Sequence, residues 1–464
     1  MQHTNKLFIF FATFLLNLFH QTAFAGAGNL DSTFGSGGNV QLSKVESMDV
    51  AYISGTGLQS DSKIIVSANV YAPDTPNQYF VAIVRLNQNG TIDPTFGNQG
   101  SLFISNIPLR GGTLFVGKDD SIFALASPDS GIPLIFKINK NGVINTSWGT
   151  NGVEDLQSTL QSIVPYSFCV IQNIKTDSEG KLIVAGMYNY YAPFIARLNT
   201  NGQLDSSFGD RTTNPQDKTG WTTSVNYGLT GTAPVSSIFD FDFTTDGKIV
   251  VLGKTSGDLG GLYNAFNQSW VSRLNTDGSD DETFASNGIF SPAQINDRSA
   301  RTAKVLSDGS IIVAGTLGLP INQIDPLPGI SVWKLHPNGD LDTTFGNSGE
   351  AFIAQTIDPK DGTPDTHNLG ISTDGRILLA GTFNAKAALI RFTTSGQLDN
   401  SYGTKGISYA VNGLYIDPMI LQSNDKAISV NGTTISRTTS GGALSTLLIG
   451  LIPLCARRRL NRRI

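Results

Sequence analysis

One short phrase recurs seven times in this chain. It reads LDSTFG at Leu30–Gly35, IDPTFG at Ile92–Gly97, INTSWG at Ile144–Gly149, LDSSFG at Leu204–Gly209, DDETFA at Asp280–Ala285, LDTTFG at Leu341–Gly346 and LDNSYG at Leu398–Gly403. From Asp31 to Asp399 the mean spacing is about 61 residues, a period at which each unit is one small motif that must stack on its neighbours to bury a core. The repeat therefore points to a solenoid or a propeller.

The residues between the phrases choose between the two. Each unit carries a polar turn, such as Asp246-Gly247, Asp308-Gly309 or Asp374-Gly375, where glycine takes up a positive φ without penalty and a tight hairpin is expected. After it comes an apolar run: KIIVSA from Lys63, KLIVAG from Lys181, KIVVLG from Lys248, SIIVAG from Ser310, RILLAG from Arg376. A second run follows, VAIVRLN from Val81, FIARLN from Phe194, WVSRLN from Trp270, SVWKLH from Ser331 and ALIRFT from Ala388. With one strand before the turn and one after the phrase, each unit holds four short strands and no helical periodicity. Seven such units predict an all-β fold, a seven-bladed β-propeller of four-stranded antiparallel blades. The strand after the phrase is expected outermost, and the strand before the Asp-Gly turn is expected to line the central channel.

The phrases and the KIIVAG and ARLN runs resemble the bacterial delta-60 repeat family, over about Asn29–Thr439. That resemblance implies an extracellular β-propeller and no settled activity. Trp148 and Tyr402 replace the usual Phe, Asp280 replaces Leu, and Ala285 replaces Gly, so a distorted turn is expected in the Asp280–Ala285 unit.

The termini predict how the ring closes. The N-terminal part opens with a phrase and its following strand, and the C-terminal part ends with the three other strands, PMILQS, KAISVN and TTISRTT. Together they make one blade, and sharing it removes the edges an open array would leave. Elsewhere a basic residue precedes the phrase, as Arg197 precedes Asp205. Asp31 lacks one upstream and Arg437 lacks a phrase downstream, so Asp31 is expected beside Arg437, with Phe34 packed in the closing blade. Treated as an exposed pair, this contact is worth at most about 1 kcal/mol.

A feature built seven times is scaffold. On that ground Asp31, Phe34, Asp93, Phe96, Asp205, Phe208, Asp342, Phe345, Asp399 and Arg437 are read as structural repeat positions, the aromatics as wedges and the acids as partners of the preceding basic strand. Asn275–Glu282 has the alternating carboxylates of a calcium loop but coincides with the ordinary turn and phrase, and it lacks a full ligand set. Histidine is too scarce for a triad or a histidine metal site, so no catalytic residue, metal or cofactor is assigned. Function is instead sought on the loop face, where Tyr71, Tyr79, Tyr188, Tyr190, Tyr191, Tyr263 and Phe266 are candidate ligand-binding residues, able to stack on a sugar or a peptide. A long loop is expected there at Lys254–Ser269.

Both ends read as addresses. Residues 1–25 have one lysine, the apolar run Leu7–His20 and Ala23-Phe24-Ala25, which is a signal peptide with cleavage expected after Ala25. Residues 26–440 are the propeller. In 441–464, Gly441-Gly442 leads into the apolar stretch Ala443–Cys455 and an arginine cluster. This resembles the GlyGly-type C-terminal sorting signals of Gram-negative bacteria, which implies transient membrane anchoring by the tail, a sorting protease cutting at the Gly pair and an export machinery; a plain tail anchor is the alternative. Neither end contains Asp or Glu, and together they hold six of the 32 basic residues. The part between has 26 basic against 37 acidic residues, a net charge of −11, which argues against a nucleic-acid partner. Cys169 and Cys455 are the only cysteines, and Cys169, in SFCVIQ, is expected to pack as a small hydrophobe.

The functional expectation is an exported or surface-displayed binding module for a glycan or a protein. The alternatives are a polysaccharide-acting enzyme with carboxylates near the channel mouth and a structural envelope protein.

Overall fold

The computed structural model describes residues 27–75, 77–129, 131–161, 168–189, 192–209, 220–222, 235–258, 265–286, 288–291, 298–317, 328–356, 363–409 and 419–439. The signal peptide, Ala25 included, and the tail with Gly441 and Gly442 lie outside them.

The apolar runs become the second and third strands of each blade. Ile64–Tyr71 is buried at every position but the last, and Phe80–Leu86 at every position but the first. Strands covered on both faces carry unbroken apolar runs, because neighbouring blades sandwich them. The innermost strands show a mixed pattern instead, as in Cys169–Thr176, since one face meets the channel. They are Met48–Leu58, Arg110–Val116, Cys169–Thr176, Val235–Phe243, Arg298–Val305, Asp365–Ile371 and Met419–Leu421, in blades one to seven. Each touches the next, and the seventh touches the first, so the blades form a closed ring. Blade one adds a fifth strand, Lys44–Val45. The strand after the phrase is outermost in every blade.

Between the blades lie the hydrophobic layers. Ile183, Ile195 and Phe208 of blade three, for example, pack on Ile238, Phe241 and Trp270 of blade four. Cys169 is buried in the layer between blades two and three, and burial pushes its thiol up to about 12. Two expectations need correction. Among the described residues one short helix occurs, Leu156–Gln161, placing Leu156 and Leu160 into that same layer. The expected loop Lys254–Ser269 is mostly strand, because Ile249–Asp258 and Ala265–Leu274 extend into a long hairpin arm.

The closing blade is built from both ends as expected. Asn39, Val40 and Gln41 pair with Ser436, Ile435 and Thr434. Asp31 N–H donates to the Arg437 carbonyl at 2.8 Å, as Asp205 N–H donates to that of Arg197 at 2.8 Å. Arg437 Nη2 meets Asp31 Oδ2 at 2.8 Å, and Phe34 is fully buried. The pair itself is buried, with side-chain exposures of 7 and 6 %, so the estimate for an exposed contact is too low.

Candidate functional site

The repeated phrase is a latch between blades. Its aspartate sits between two cations in five blades. Asp93 Oδ2 takes Arg85 Nε at 2.8 Å and Lys63 Nζ at 3.0 Å. Asp205 meets Arg197 and Lys181, Asp281 meets Arg273 and Lys248, Asp399 meets Arg391 and Arg376, and Asp31 meets Arg437 and Lys426. Its other oxygen accepts the backbone N–H and hydroxyl two residues on, at Thr95, for instance, 3.1 and 2.7 Å. Blade five keeps one cation, Lys334 at 3.3 Å from Asp342. Blade two has Asn145 in place of the acid, and Lys137 there lies 5.2 Å from the Phe123 ring.

The arginine also stacks on the phrase aromatic: Arg85 on Phe96 at 4.9 Å, Arg197 on Phe208 at 4.6 Å. That aromatic abuts the turn glycine of the next blade. A Cβ on Gly142 would meet Phe96 at 2.9 Å, and one on Gly396 would meet Phe345 at 2.9 Å. Both glycines have φ above +80°, so the position excludes a side chain twice over. The phrase Gly N–H then donates to a carbonyl of that same turn, Gly97 to Asn141 at 2.9 Å and Gly403 to Ala27 at 2.7 Å.

Burial works against the charges of Asp31, Asp93, Asp205 and Asp281, but the lysine and hydroxyl hydrogen bonds hold all four carboxyls well below the usual range. A depressed folded value means that their stabilisation is fully present above about pH 4 and is lost only as the pH falls through the lowered values. These groups are spent on structure.

The Asp280–Ala285 unit is not distorted, contrary to expectation. Ala285 takes φ +49° and its N–H donates to the Asn338 carbonyl at 2.6 Å, while Phe284 stays buried. The latch imposes its conformation on a residue that pays for a left-handed backbone. Ala285→Gly is therefore expected to stabilise the protein by about 1 kcal/mol, read as a rise in the urea midpoint at unchanged slope.

On the loop face, Tyr71 and Tyr79 meet edge to face with centroids 6.0 Å apart. Arg110 of blade two lies 4.7 Å over the Tyr79 ring and 3.2 Å from Asp129. Tyr52 is exposed beside them; burial raises its phenol, with Arg110 opposing and Tyr79 adding to the rise. Tyr52 and Arg110 were not singled out from the sequence, because both lie inside the innermost strands rather than in loops. Tyr188, the last residue of Leu182–Tyr188, packs on Trp221 of its own blade at 5.2 Å between centroids. Tyr190, Tyr191 and Tyr263 lie outside the described residues, and of Phe266 only the backbone, in Ala265–Leu274, is described.

The channel is the second candidate region, a cavity of about 650 Å³. Six innermost strands carry a β-bulge at the same place, between Ile53 and Gly55, Gly111 and Thr113, Ile171 and Asn173, Ile238 and Asp240, Ala300 and Thr302, and Thr366 and Asn368. A bulge re-aims one side chain. The bulged residues are Ser54, Gly112, Gln172, Phe239, Arg301 and His367, and all but Gly112 line the cavity. Below them Asp240 accepts from Lys175 Nζ at 2.8 Å and Asn173 at 2.9 Å in blade three, and from Thr302 at 2.9 Å and Ala303 N–H at 3.1 Å in blade five. Burial pushes the Asp240 carboxyl up, but Lys175, the Ala303 N–H and Lys304 together bring the net direction down. Asp242 accepts from Val305 N–H at 2.9 Å with Lys304 Nζ at 3.6 Å. Asp365 faces Arg301 at 3.8 Å and His367 at 3.6 Å. Asp281, in the calcium-like loop, is held by Lys248 and Arg273.

Four segments, 59–96, 178–208, 306–345 and 373–402, match the family model described as a domain of unknown function (DUF5122) beta-propeller. Each spans a hairpin turn and the following phrase, in blades one, three, five and six, which supports a β-propeller repeat family. No curated protein matches the chain. Among solved structures, Drosophila Plexin A in complex with Semaphorin 1b is similar over 89% of this chain and 88% of that chain, at 10% identity and a TM-score of 0.42. The polysaccharide lyase Uly1 is similar over 86% and 94%, at 10% identity and 0.47, and a protein from Lactobacillus plantarum over 76% and 84%, at 12% identity and 0.42.

Proposed function

We propose that the chain is an exported β-propeller of the delta-60 repeat type that works as a binding module, taking a glycan or a protein at the cell surface through its loop face. The observation that carries this reading is the cluster of Tyr52, Tyr71, Tyr79 and Arg110. Half-buried tyrosines held rigid by stacking, with an arginine over one of them and the exposed Tyr52 beside them, are what hot spots of recognition surfaces are made of, since little side-chain entropy is lost on binding. Export rests on residues 1–25 and 441–464, read as a leader and as a tail handled by a sorting protease. The enzymatic alternative draws little support from the channel carboxylates. Asp240, Asp242 and Asp365 each face a cation, and a glycosidase acid needs a carboxyl whose value is raised.

The test is a screen of the purified full chain on a glycan array and a panel of envelope proteins. A ligand is expected whose affinity falls about tenfold or more in both Tyr79→Ala and Arg110→Ala, with melting temperatures unchanged. Absence of any ligand, or affinity indifferent to both changes, overturns the reading.

A further inference from the structure

Blades three to six give the channel a character that the repeat does not require. Scaffold positions recur from blade to blade, but the bulge positions carry Ser54, Gly112, Gln172, Phe239, Arg301 and His367 in turn, so the same backbone device aims five different side chains and leaves one gap at Gly112. Three adjacent blades supply Phe239, Arg301 and His367. The Arg301 guanidinium carbon lies 5.0 Å from the centroid of the Phe239 ring, and the side chain is 44 % exposed. Among the described residues its only charged neighbour is Asp365, at 3.8 Å, too far for a hydrogen bond. A flat fork of donors thus keeps its edge unspent, facing a cavity of about 650 Å³, within the range of small-molecule sites. Gln172, on the same bulge row, also lines the cavity, with its Oε1 buried and unpartnered.

The support beneath is rigid. Asp240 ties the strand of Arg301 to blades three and four through Thr302 and the Ala303 N–H, and its own charge is met by Lys175, so it does not compete for Arg301. The counter-charge that does compete, Asp365, accepts from the Thr366 N–H at 2.9 Å and is shared with His367.

We propose that the channel mouth is a second ligand site, separate from the tyrosine cluster, in which Arg301, stacked on Phe239, receives the carboxylate of a small organic ligand. A planar guanidinium pairs with a carboxylate through two parallel hydrogen bonds. The ligand carboxylate displaces the distant Asp365. That chemistry is offered by an acidic saccharide or by the C-terminus of a peptide.

Titration calorimetry on the full chain separates the two sources, with trigalacturonate in one arm and a tripeptide with a free C-terminus in the other, each beside its methyl ester or amide. Binding of one acid, and not of its neutral derivative, is expected. Arg301→Gln should weaken it about tenfold or more and Asp365→Asn should strengthen it, both with unchanged melting. Tyr79→Ala should leave it unmoved, so loss of the loop-face reading would not touch this one. No binding of either acid at millimolar concentration, equal binding of the neutral derivatives, or affinity that survives Arg301→Gln overturns the proposal.

Discussion

Deleting residues 29–42 is expected to lower the melting temperature by about ten degrees or more, although the segment is a small part of the chain. It removes the fully buried Phe34, whose loss alone costs about 3–5 kcal/mol in a well-packed core. It also removes the outermost strand Asn39–Gln41 and leaves Ser436, Ile435 and Thr434 with an open edge. At roughly 1.2 °C per kcal/mol for a domain of this size, a combined loss above about 8 kcal/mol, with the lost strand pairing and the stranded Arg437 added to Phe34, gives the shift stated. The effect of Asp31 alone separates the burial argument from the surface one. Asp31 lies 2.8 Å from Arg437 and 2.6 Å from Lys426, and Arg437 is also buried, so Asp31→Ala strands a buried cation. A cost of about 3 kcal/mol is expected, where an exposed pair would cost at most about 1. Calorimetric scans of the two variants check both numbers. A melt unmoved by the deletion would show that the ring does not depend on its shared blade.

The blade count, the strand order and the ring closure were legible because the phrase is long, repeats seven times and is incomplete only at the two ends. Even the contact between Asp31 and Arg437 follows from that incompleteness. What the repeat hides is depth. Sequence periodicity places Asp31 next to Arg437 but does not tell whether water reaches them, and the energy of an ion pair turns on that point. The turn at Ala285 was misjudged for a related reason. Its local preference is against a positive φ, but the latch to Asn338 and the buried Phe284 outvote it.

The channel was the least legible part. A bulge adds one residue to a strand without changing its composition, so Phe239, Arg301 and His367 read as ordinary members of alternating segments. Laying the innermost strands over one another by their distance from the following hairpin would have exposed them, because each bulged residue lies five positions before the residue that follows its strand's last pair, as Phe239 does before Thr244 and Arg301 before Leu306. Tyr52 and Arg110 escaped for the opposite reason. Candidate residues were read from loops, and these two belong to innermost strands, Tyr52 within Met48–Leu58 and Arg110 at the start of Arg110–Val116.

Asp240 is where one residue holds three blades together, and its removal should be among the most damaging single changes in the molecule. Its carboxylate takes hydrogen bonds from Lys175 and Asn173 in blade three, from Thr302 and Ala303 in blade five and from the Phe241 N–H in its own strand. Lys175 also donates to the Phe241 carbonyl. Burial alone would lower the Lys175 ammonium, but Asp240 and Asp242 more than reverse that, and its value is raised. The charge therefore persists at neutral pH and needs its partner. Asp240→Ala leaves that cation and the Ala303 N–H uncompensated, at an expected cost of about 3–5 kcal/mol, or a fall of roughly four to six degrees in melting temperature. Lys175→Met in the same background should recover much of the loss, since replacing both members of a buried pair by apolar groups is often nearly neutral. The sign of the pH effect follows from the two shifts. The lowered Asp240 contributes above about pH 4, the raised Lys175 below about pH 10, and the wild type should lose its advantage over the double variant outside that window. A double-mutant cycle run by urea titration at pH 7 measures the coupling. A coupling energy near zero, with Asp240→Ala as mild as a surface change, would mean that the three blades are held by their apolar layers alone.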